Sequence, residues 1–318
     1  MSRIADGARC GSGHPGVQEA SPGFLRQLAG RMLARGAAVV GGGEEALADA
    51  RRVLSFLRGR IEFRPRADDI YVVSYPRSGT TWMQFMLYRL AGHDGFDFEH
   101  LSQVSPWFER SLALGTMTAT DFELFASPRI MKSHLPHGWL PRPGRIVYVW
   151  RDGRDVAVSY YHFYRSHLGY QGGFSDFFQR FLKGDLQYRS WFRHVGGWTE
   201  HADNSEVLVV RYEDLHSDRT RVLRRVAAHV GIPVSEERLA RVVAETSFEA
   251  MKSQESKFDH VTAVLLEKGG LTSAFLRHGV TGEGAAALDA FQRDAFETRL
   301  HPSTNRASRE VRLSAFLH

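Results

Sequence analysis

The stretch Ile70-Tyr71-Val72-Val73-Ser74-Tyr75-Pro76-Arg77-Ser78-Gly79-Thr80-Thr81-Trp82 decides the fold class of this chain. Its first four residues are apolar and β-rich, as in a strand of a parallel sheet that is covered on both faces. Pro76 and Gly79 mark a turn. Thr80 and Thr81 are candidates for a helix cap, and residues 82–90 place apolar side chains at helical spacing. When a strand is followed by a loop and then by the first turn of a helix, backbone N–H groups and the helix dipole point to one place. The sequence therefore predicts an anion-binding loop.

The loop resembles a P-loop in its position but is not a Walker A loop, because one Gly precedes Thr-Thr and the cation comes before that Gly. Hydroxyls of Ser78, Thr80 and Thr81 offer donors, and Arg77 adds a charged fork that suits phosphate or sulfate oxygens. An ordinary turn with capping hydroxyls is the alternative. The pairing of hydroxyls with a cation favours the anion site.

Composition sets broad limits on fold and partners. The 318 residues suffice for one large α/β domain, and 43% hydrophobic with 24% charged residues is typical of a globular protein. The net charge of +5 fits an anionic ligand, nucleic acid or an acidic membrane surface equally well. Cys10 is the only cysteine, which excludes an intramolecular disulfide and multi-Cys metal sites. We expect no metal cofactor, no membrane span and a cytoplasmic location, since residues 1–16 lack an apolar signal region.

Strands and helices alternate after the opening unit. Residues 1–22 are rich in Gly and Ser and predict a flexible tail, which leaves residues 23–318 as the domain. Further strands are predicted at residues 129–132, 145–150 and 206–212. Helices are predicted at residues 24–35, 44–58, 156–167, 174–183, 189–200, 219–230, 236–246 and 285–300. This order predicts a single α/β domain with a central, mostly parallel sheet flanked by helices, and a ligand at the carboxyl ends of the strands.

Charged side chains follow two of these strands. Lys132 and His134 come at the end of the second strand, where a neutral imidazole suits a general base and an ammonium suits developing negative charge. Arg151 ends the third strand and Ser159 follows on the next helix, which fits a second anion. The alternative is that Asp152 or Asp155 caps that helix and pairs with the arginines. For Asp155 we expect the cap.

A set of ordered motifs resembles the cytosolic sulfotransferase family. The set consists of Tyr75-Pro76-Arg77-Ser78-Gly79-Thr80-Thr81-Trp82, Lys132-Ser133-His134-Leu135-Pro136, residues 151–164, Arg211-Tyr212-Glu213-Asp214-Leu215, residues 245–252 and residues 275–283. The resemblance covers about residues 69–296. Each motif alone is moderately specific for this family, and the occurrence of all of them in the family's order is highly specific. We expect a bacterial member of the family.

The resemblance implies sulfuryl transfer from 3′-phosphoadenosine 5′-phosphosulfate (PAPS), leaving 3′-phosphoadenosine 5′-phosphate (PAP), to a hydroxyl or amine of a small acceptor. His134 would be the general base, with Lys132 and Arg77 stabilising charge. The 5′-phosphosulfate would lie on the loop from Arg77 through Ser78, Gly79 and Thr80 to Thr81. The 3′-phosphate would lie at Arg151, Ser159 and the turn Phe275-Leu276-Arg277-His278-Gly279. Trp82, Tyr212, Thr246 and Phe248 would frame the adenine.

This chain departs from the family pattern at two cations. Arg77 stands where the family usually has Lys, which spreads the charge over a planar fork. His278 replaces a usual Lys, which weakens one phosphate contact or makes it pH-dependent. The family's dimerisation pattern is not matched at Ala285, Asp289, Ala290 and Asp294, so the resemblance predicts no oligomeric state.

Two other functions fit parts of the sequence. A P-loop nucleotide kinase would use the Thr-rich loop, but it needs a Walker lysine and a magnesium carboxylate. Glu213 and Asp214, the candidate carboxylates, are expected to cap a helix near Asp218 or to fix a loop. A nucleic-acid or acidic-polymer binding module would use the basic charge without catalysis, and the aromatic cluster at residues 160–164 is more typical of core and pocket wall. We expect an aromatic or lipid-like acceptor and no nucleic acid partner.

Aromatic side chains in residues 96–125 and 164–181 are candidates for an apolar lid or acceptor pocket. They are Phe98, Trp107, Phe108, Phe122, Tyr170 and Phe174. Ordinary core packing explains each of them equally well.

Overall fold

The computed structural model describes residues 43–93, 98–258, 276–277 and 279–300. The chain divides into two compact units after Leu54. The described residues of the first unit, 43–54, form the first part of helix α1 (Gly43–Glu62). Leu47 and Leu54 are exposed on this helix. The predicted tail, residues 1–22, and the predicted helix 24–35 lie outside the described residues.

Four parallel strands form the central sheet of the second unit, in the order β2-β1-β3-β4. They are β1 (Ile70–Val73), β2 (Ile130–Ser133), β3 (Arg145–Trp150) and β4 (Val207–Arg211). Ile70 is in register with Ile130 on one side and with Arg145 on the other. The parallel sheet predicted from the sequence is confirmed, with strand ends displaced by at most one residue.

Helices surround this sheet. They are α2 (Thr80–Leu90), α3 (Phe108–Leu114), α4 (Gly153–His167), α5 (Phe174–Lys183), α6 (Trp191–Thr199), α7 (Tyr212–Ser217), α8 (Arg219–Val230), α9 (Glu236–Glu245), α10 (Phe248–Ser253), α11 (Glu283–Ala287) and α12 (Ala290–Leu300). None of the helices among the described residues is both long and apolar enough to cross a bilayer.

Both faces of the sheet are buried. On β1, Ile70 and Val72 join one hydrophobic cluster, while Tyr71 and Val73 join the other. Side chains of a strand alternate between faces, so a strand that is apolar at every position supplies both clusters. The carboxyl edge of the sheet is thereby held between two packed layers.

A buried ion pair fixes the starts of β1 and β2. Arg129 donates from Nε to Asp69 Oδ1 at 2.6 Å and from an Nη to Oδ2 at 2.7 Å, and both residues are at most 1% exposed. Removing one partner of such a pair costs about 3–5 kcal/mol, because the other charge stays buried. The pair sets the register of the two strands that carry the loop after β1 and the Lys132–His134 segment.

Several predicted helices have different ends. Helix α1 continues past Gly59 to Glu62, where a Cβ at residue 59 would lie 2.7 Å from Leu112 Cδ2. Gly59 therefore permits close packing on α3 and does not end the helix. Helix α6 begins at Trp191 because Ser190 Oγ accepts from Arg193 N at 3.3 Å. The predicted helix 285–300 is two helices, since Asp289 Oδ1 accepts from Gln292 N at 2.8 Å and caps a new start.

Candidate functional site

The loop after β1 is shaped by Gly79. Its φ of +91° is left-handed, and it occupies the cap position of α2 without a side-chain hydrogen bond. A Cβ there would lie 2.6 Å from Tyr212 Cδ2. Both the conformation and the close approach require glycine. The expectation that Thr80 or Thr81 caps the helix is wrong, because both are its first helical residues.

A cavity of about 630 Å³ opens at the carboxyl edge of the sheet. Its walls include most of the residues predicted for the site: Arg77, Gly79, Thr80, Thr81, Trp82, Lys132, His134, Arg151, Ser159, Tyr212, Phe248, Leu276, Arg277 and Gly279. Segments from β1, β2, β3 and β4 thus converge on one space, as expected for an open parallel sheet. Ser78 is 1% exposed and is not among the lining residues.

His134 is held at its ring and at both sides of its backbone. Ring Nδ1 donates to Ser74 O at 2.7 Å, because a carbonyl can only accept. In the neutral ring, Nε2 therefore carries the free lone pair. Backbone N donates to Glu109 Oε1 at 2.7 Å, and backbone O accepts from His194 Nε2 at 3.2 Å. Burial, together with the positive charge of Lys132, lowers the pKa of His134 well below its ordinary value, so the ring is neutral.

Lys132 lies at the same strand end, with Nζ 4.2 Å from the centroid of the Trp107 ring. Burial lowers the pKa of its ammonium to about 8, and the charges of Arg77 and Arg110 act in the same direction. The charge of Glu109 opposes this shift. Lys132 is thus a cation at neutral pH that titrates close to the working range of an enzyme.

Arg77 reaches across the cavity to α4. Its Nε donates to Ser159 Oγ at 3.2 Å, and its guanidinium lies 5.1 Å from the Phe163 ring centroid. The backbone of Arg77 has a φ of 69°, uncommon for a residue with a side chain. The two residues predicted for separate ends of the nucleotide are therefore joined directly by a hydrogen bond.

Arg151 connects the first loop to a later one. It donates to Arg77 O at 3.1 Å and to Val280 O at 2.9 Å, and it lies 4.3 Å from the Tyr212 ring centroid. The later loop is also held by Asp155, which accepts from Gly282 N at 2.8 Å and Gly284 N at 2.6 Å. The expectation that Asp155 caps α4 is wrong. Asp152 is the cap, accepting from Arg154 N at 2.8 Å.

Aromatic side chains line the end of the cavity at Trp82. The Trp82 and Tyr212 rings meet edge to face at 5.7 Å, and a Cβ at Gly279 would lie 2.5 Å from Phe248 Cδ2. Thr246 does not line the cavity as predicted. It is fully buried, and its carbonyl accepts from Trp82 Nε1 at 2.8 Å, so it orients the tryptophan.

Comparison with known proteins identifies this arrangement. The family model described as "Sulfotransferase domain" matches residues 67–306. The chain belongs to the sulfotransferase family. Mouse sulfotransferase 2B1 is 34% identical over 245 residues, which cover 73% of this chain and 70% of that protein. Bovine sulfotransferase 1A1 is 32% identical over 249 residues, covering 74% and 83%.

A solved structure gives the same result for the fold. Mouse sulfotransferase SULT7A1 complexed with PAP matches with a TM-score of 0.67 and 26% identity, covering 84% of this chain and 95% of that one. The predicted α/β fold and the predicted class, a PAPS-dependent sulfotransferase, are confirmed. The relatives named here are mammalian, and a bacterial source stays a prediction.

Several predicted residues of this sulfotransferase lie elsewhere. Phe275 and His278 are outside the described residues. Of the six aromatic residues predicted for the acceptor pocket, only Trp107 lines the cavity. Phe108 and Phe122 are fully buried in the core, where they pack with Phe63. Glu213 lies in the first turn of α7 and is not a cap of α8, which begins after Asp218.

Sequence reasoning missed several residues that lie in the cavity wall or contact residues of the site. Glu109 and His194 hold the backbone of His134. Lys252 donates to Leu276 O at 2.7 Å, and Glu255 accepts from Leu276 N at 2.5 Å, which fixes the start of the late loop. Tyr188 and Arg110 line the cavity near His134. Lys252 ends the quoted motif at residues 245–252, but the other residues lie outside the quoted motifs, so nothing in the sequence distinguishes them from others of their type.

Proposed function

We propose that this sulfotransferase transfers the sulfuryl group of PAPS to a hydroxyl or amine of a small aromatic or lipid-like acceptor, with His134 as general base. The observation that carries the proposal is the hydrogen bond from His134 Nδ1 to Ser74 O, which leaves Nε2 as the proton acceptor in a cavity shared with Lys132 and Arg77. Depression of the pKa of His134 keeps that nitrogen unprotonated at neutral pH.

The nucleotide is proposed to bind along the strand ends. The 5′-phosphosulfate lies on Arg77 to Thr81, where backbone N–H groups begin α2. The 3′-phosphate lies at Arg151, Ser159 and the late loop containing Arg277 and Gly279. The adenine lies between Trp82, Tyr212 and Phe248, whose rings line the same end of the cavity.

Transfer then needs no covalent enzyme intermediate. His134 Nε2 takes the proton of the acceptor hydroxyl while its oxygen bonds to sulfur and the bond from sulfur to the bridging phosphate oxygen breaks. Negative charge develops on that leaving oxygen, where Lys132 and Arg77 stabilise it. Positioning and cations supply most of the catalysis in such a loose, in-line displacement.

The site favours this function over the two alternatives. The first loop lacks the lysine that a Walker A motif requires, which disfavours a P-loop kinase. Tyr160 and Phe163 line the cavity, while Tyr164 is buried in the core, so the aromatic cluster is not an exposed platform for bases. A cytoplasmic location stays a prediction.

An acceptor screen with PAPS carrying labelled sulfate tests the proposal, across phenols, sterols, amines and sugars. We expect transfer to phenols or sterols, and a lowering of kcat by about 10²–10⁴-fold in His134→Gln. PAP should still raise the melting temperature of this variant. Stabilisation by ATP with magnesium but not by PAP contradicts the proposal, and transfer to sugars alone contradicts the acceptor class.

The matched control is His229→Gln. His229 is half-buried and donates from Nε2 to Ile146 O at 3.0 Å, a contact like that of His134 but distant from the cavity lining. Its substitution should leave turnover unchanged. If His134→Gln retains full turnover, His134 is not the base.

A further inference from the structure

The cavity wall contains a cation, Arg110, that has no role in the proposed sulfuryl transfer itself. It lies on α3, lines the cavity, and its guanidinium carbon is 5.3 Å from the Trp107 ring centroid. Its Nε is buried and has no hydrogen-bond partner among the described residues. No ion pair joins Arg110 to a carboxylate in that part of the chain. A buried guanidinium nitrogen without an acceptor is costly, so its retention in a cavity wall points to a ligand.

The order of the strands separates Arg110 from the proposed nucleotide site. Trp107 forms a parallel bridge with Lys132, and Lys132 N donates to Pro106 O at 2.9 Å. Residues 106–107 therefore lie beside β2, on the side away from β1. Arg77, Arg151 and Tyr212 follow β1, β3 and β4, which lie on the opposite side of β2. Arg110 is thus at the end of the cavity that is farthest from the adenine group.

Aromatic rings at this end define the space beside Arg110. Trp107 lies 5.0 Å from the His134 ring, edge to face, and 6.4 Å from the Tyr188 ring, nearly parallel. Tyr188 is 5.2 Å from His134. A flat acceptor ring that presents its hydroxyl to His134 would therefore lie against these side chains, with its far substituent toward Arg110.

Other charged side chains line the cavity or lie beside it. Lys132 and Arg77 are cations assigned to the leaving group. Glu109 is the acidic neighbour, and its Oε1 is already occupied by Trp107 Nε1 at 2.7 Å and by the backbone of His134. Its Oε2 is buried without a hydrogen-bond partner among the described residues. Glu249, the acidic residue in the cavity wall, lies on α10 at the adenine end.

We propose that Arg110 determines acceptor specificity by binding a carboxylate on the acceptor, so that the preferred substrates are hydroxylated aromatic or lipid-like acids. The guanidinium fork matches a carboxylate in geometry as well as charge. This inference rests on the proposed function, since it names the class of acceptor that enters the same site.

Matched phenols test the inference. They are 4-hydroxyphenylacetate, its neutral amide and the cationic amine tyramine, which share a phenol and differ in the charge of the side group. For the full chain with PAPS, we expect kcat/KM to be at least about tenfold higher for the acid than for the amide, and lowest for the amine. In Arg110→Gln the preference for the acid over the amide should disappear, while Arg110→Lys should keep part of it.

The control is Arg180→Gln, which removes an exposed arginine that lies 5.8 Å from the Tyr170 ring and outside the cavity lining. It should not alter the ranking. The melting temperature with PAP, measured for every variant, shows whether the donor site is intact. The inference is overturned if the wild-type chain does not sulfate the acid, if it sulfates the amide as efficiently, or if Arg110→Gln leaves the ranking unchanged. Failure of PAP to stabilise the chain, with no transfer to any acceptor, overturns the proposed function instead.

Discussion

The two ends of the cavity are built differently. The end at Gly79 depends on backbone conformation within one short loop, in which a glycine and two threonines join β1 to α2. The end at Trp107 depends on side chains from three separate segments. Trp107 precedes α3 and Arg110 lies on it, Lys132 lies in β2 and His134 directly follows it, and Tyr188 precedes α6. A loop of the first kind tolerates few substitutions. A surface of the second kind can change its chemistry one side chain at a time.

Substitution of Gly79 by Ala should have the largest effect on the nucleotide end. The new Cβ would lie 2.6 Å from the Tyr212 ring on a backbone with a φ of +91°. We expect PAP affinity, measured by titration, to fall on the order of 100-fold, or about 2.7 kcal/mol. Gly231→Ala is the control, since its φ of +74° carries similar backbone strain but no atom lies within 4 Å. Equal PAP affinity in both variants would show that the contact with Tyr212 does not matter.

Loss of charge at Arg77 should have a large effect on the transfer itself. Arg77→Gln removes the cation from the proposed leaving group, so kcat/KM should fall by roughly 10²–10³-fold. Arg77→Lys keeps the charge and loses the contact to Ser159, so its loss should stay below about tenfold. Ser159→Ala measures the contribution of that contact alone. A Lys variant as inactive as the Gln variant would mean that the planar fork, and not the charge, is required.

The pH dependence of kcat/KM for PAPS should report on Lys132. Its pKa of about 8 means that the cation is lost as the pH rises through that value. The rate should therefore fall by about tenfold for each pH unit above 8. Between about pH 6.5 and 7.5 the rate should be flat, because the depressed pKa of His134 keeps the ring neutral there. In Lys132→Met the fall above pH 8 should be absent from the measured profile. A rate that rises above pH 8 contradicts the role of Lys132 as a cation.

Glu109→Gln should give the smallest effect, at the acceptor end. Glutamine retains a carbonyl oxygen for the N–H groups of Trp107 and His134, but the negative charge that raises the pKa of Lys132 is removed. The fall in rate should move to lower pH by less than about one unit, with kcat at pH 7 little changed. Glu237→Gln, on the exposed face of α9, is the control and should not move the profile. A shift to higher pH would contradict the coupling.

The nucleotide end was largely predictable, and the acceptor end was not. Residues 70–82 combine a strand, a turn and a helix in one continuous pattern, so their roles follow from local rules. Trp107, Arg110 and Tyr188 meet only because residues 106–107 pair with β2 and the segment before α6 folds over them. Phe108 and Phe122 resemble Trp107 in sequence context, yet they face the core. Hydrophobicity alone cannot distinguish an aromatic side chain in a core from one in a cavity wall.

The hydrogen bond between His134 and Ser74 has a consequence for how the reaction distance is set. Ser74 directly precedes the anion loop, and its hydroxyl is 2.5 Å from that of Thr80. The proposed base and the proposed donor seat therefore belong to neighbouring strands, β2 and β1, in which Val73 is in register with Ser133. Adjacent strands lie about 4.8 Å apart in every sheet. In the proposed reaction, the separation between the proton acceptor and the sulfur is thus set by backbone pairing, and substitutions in the acceptor wall leave it unchanged.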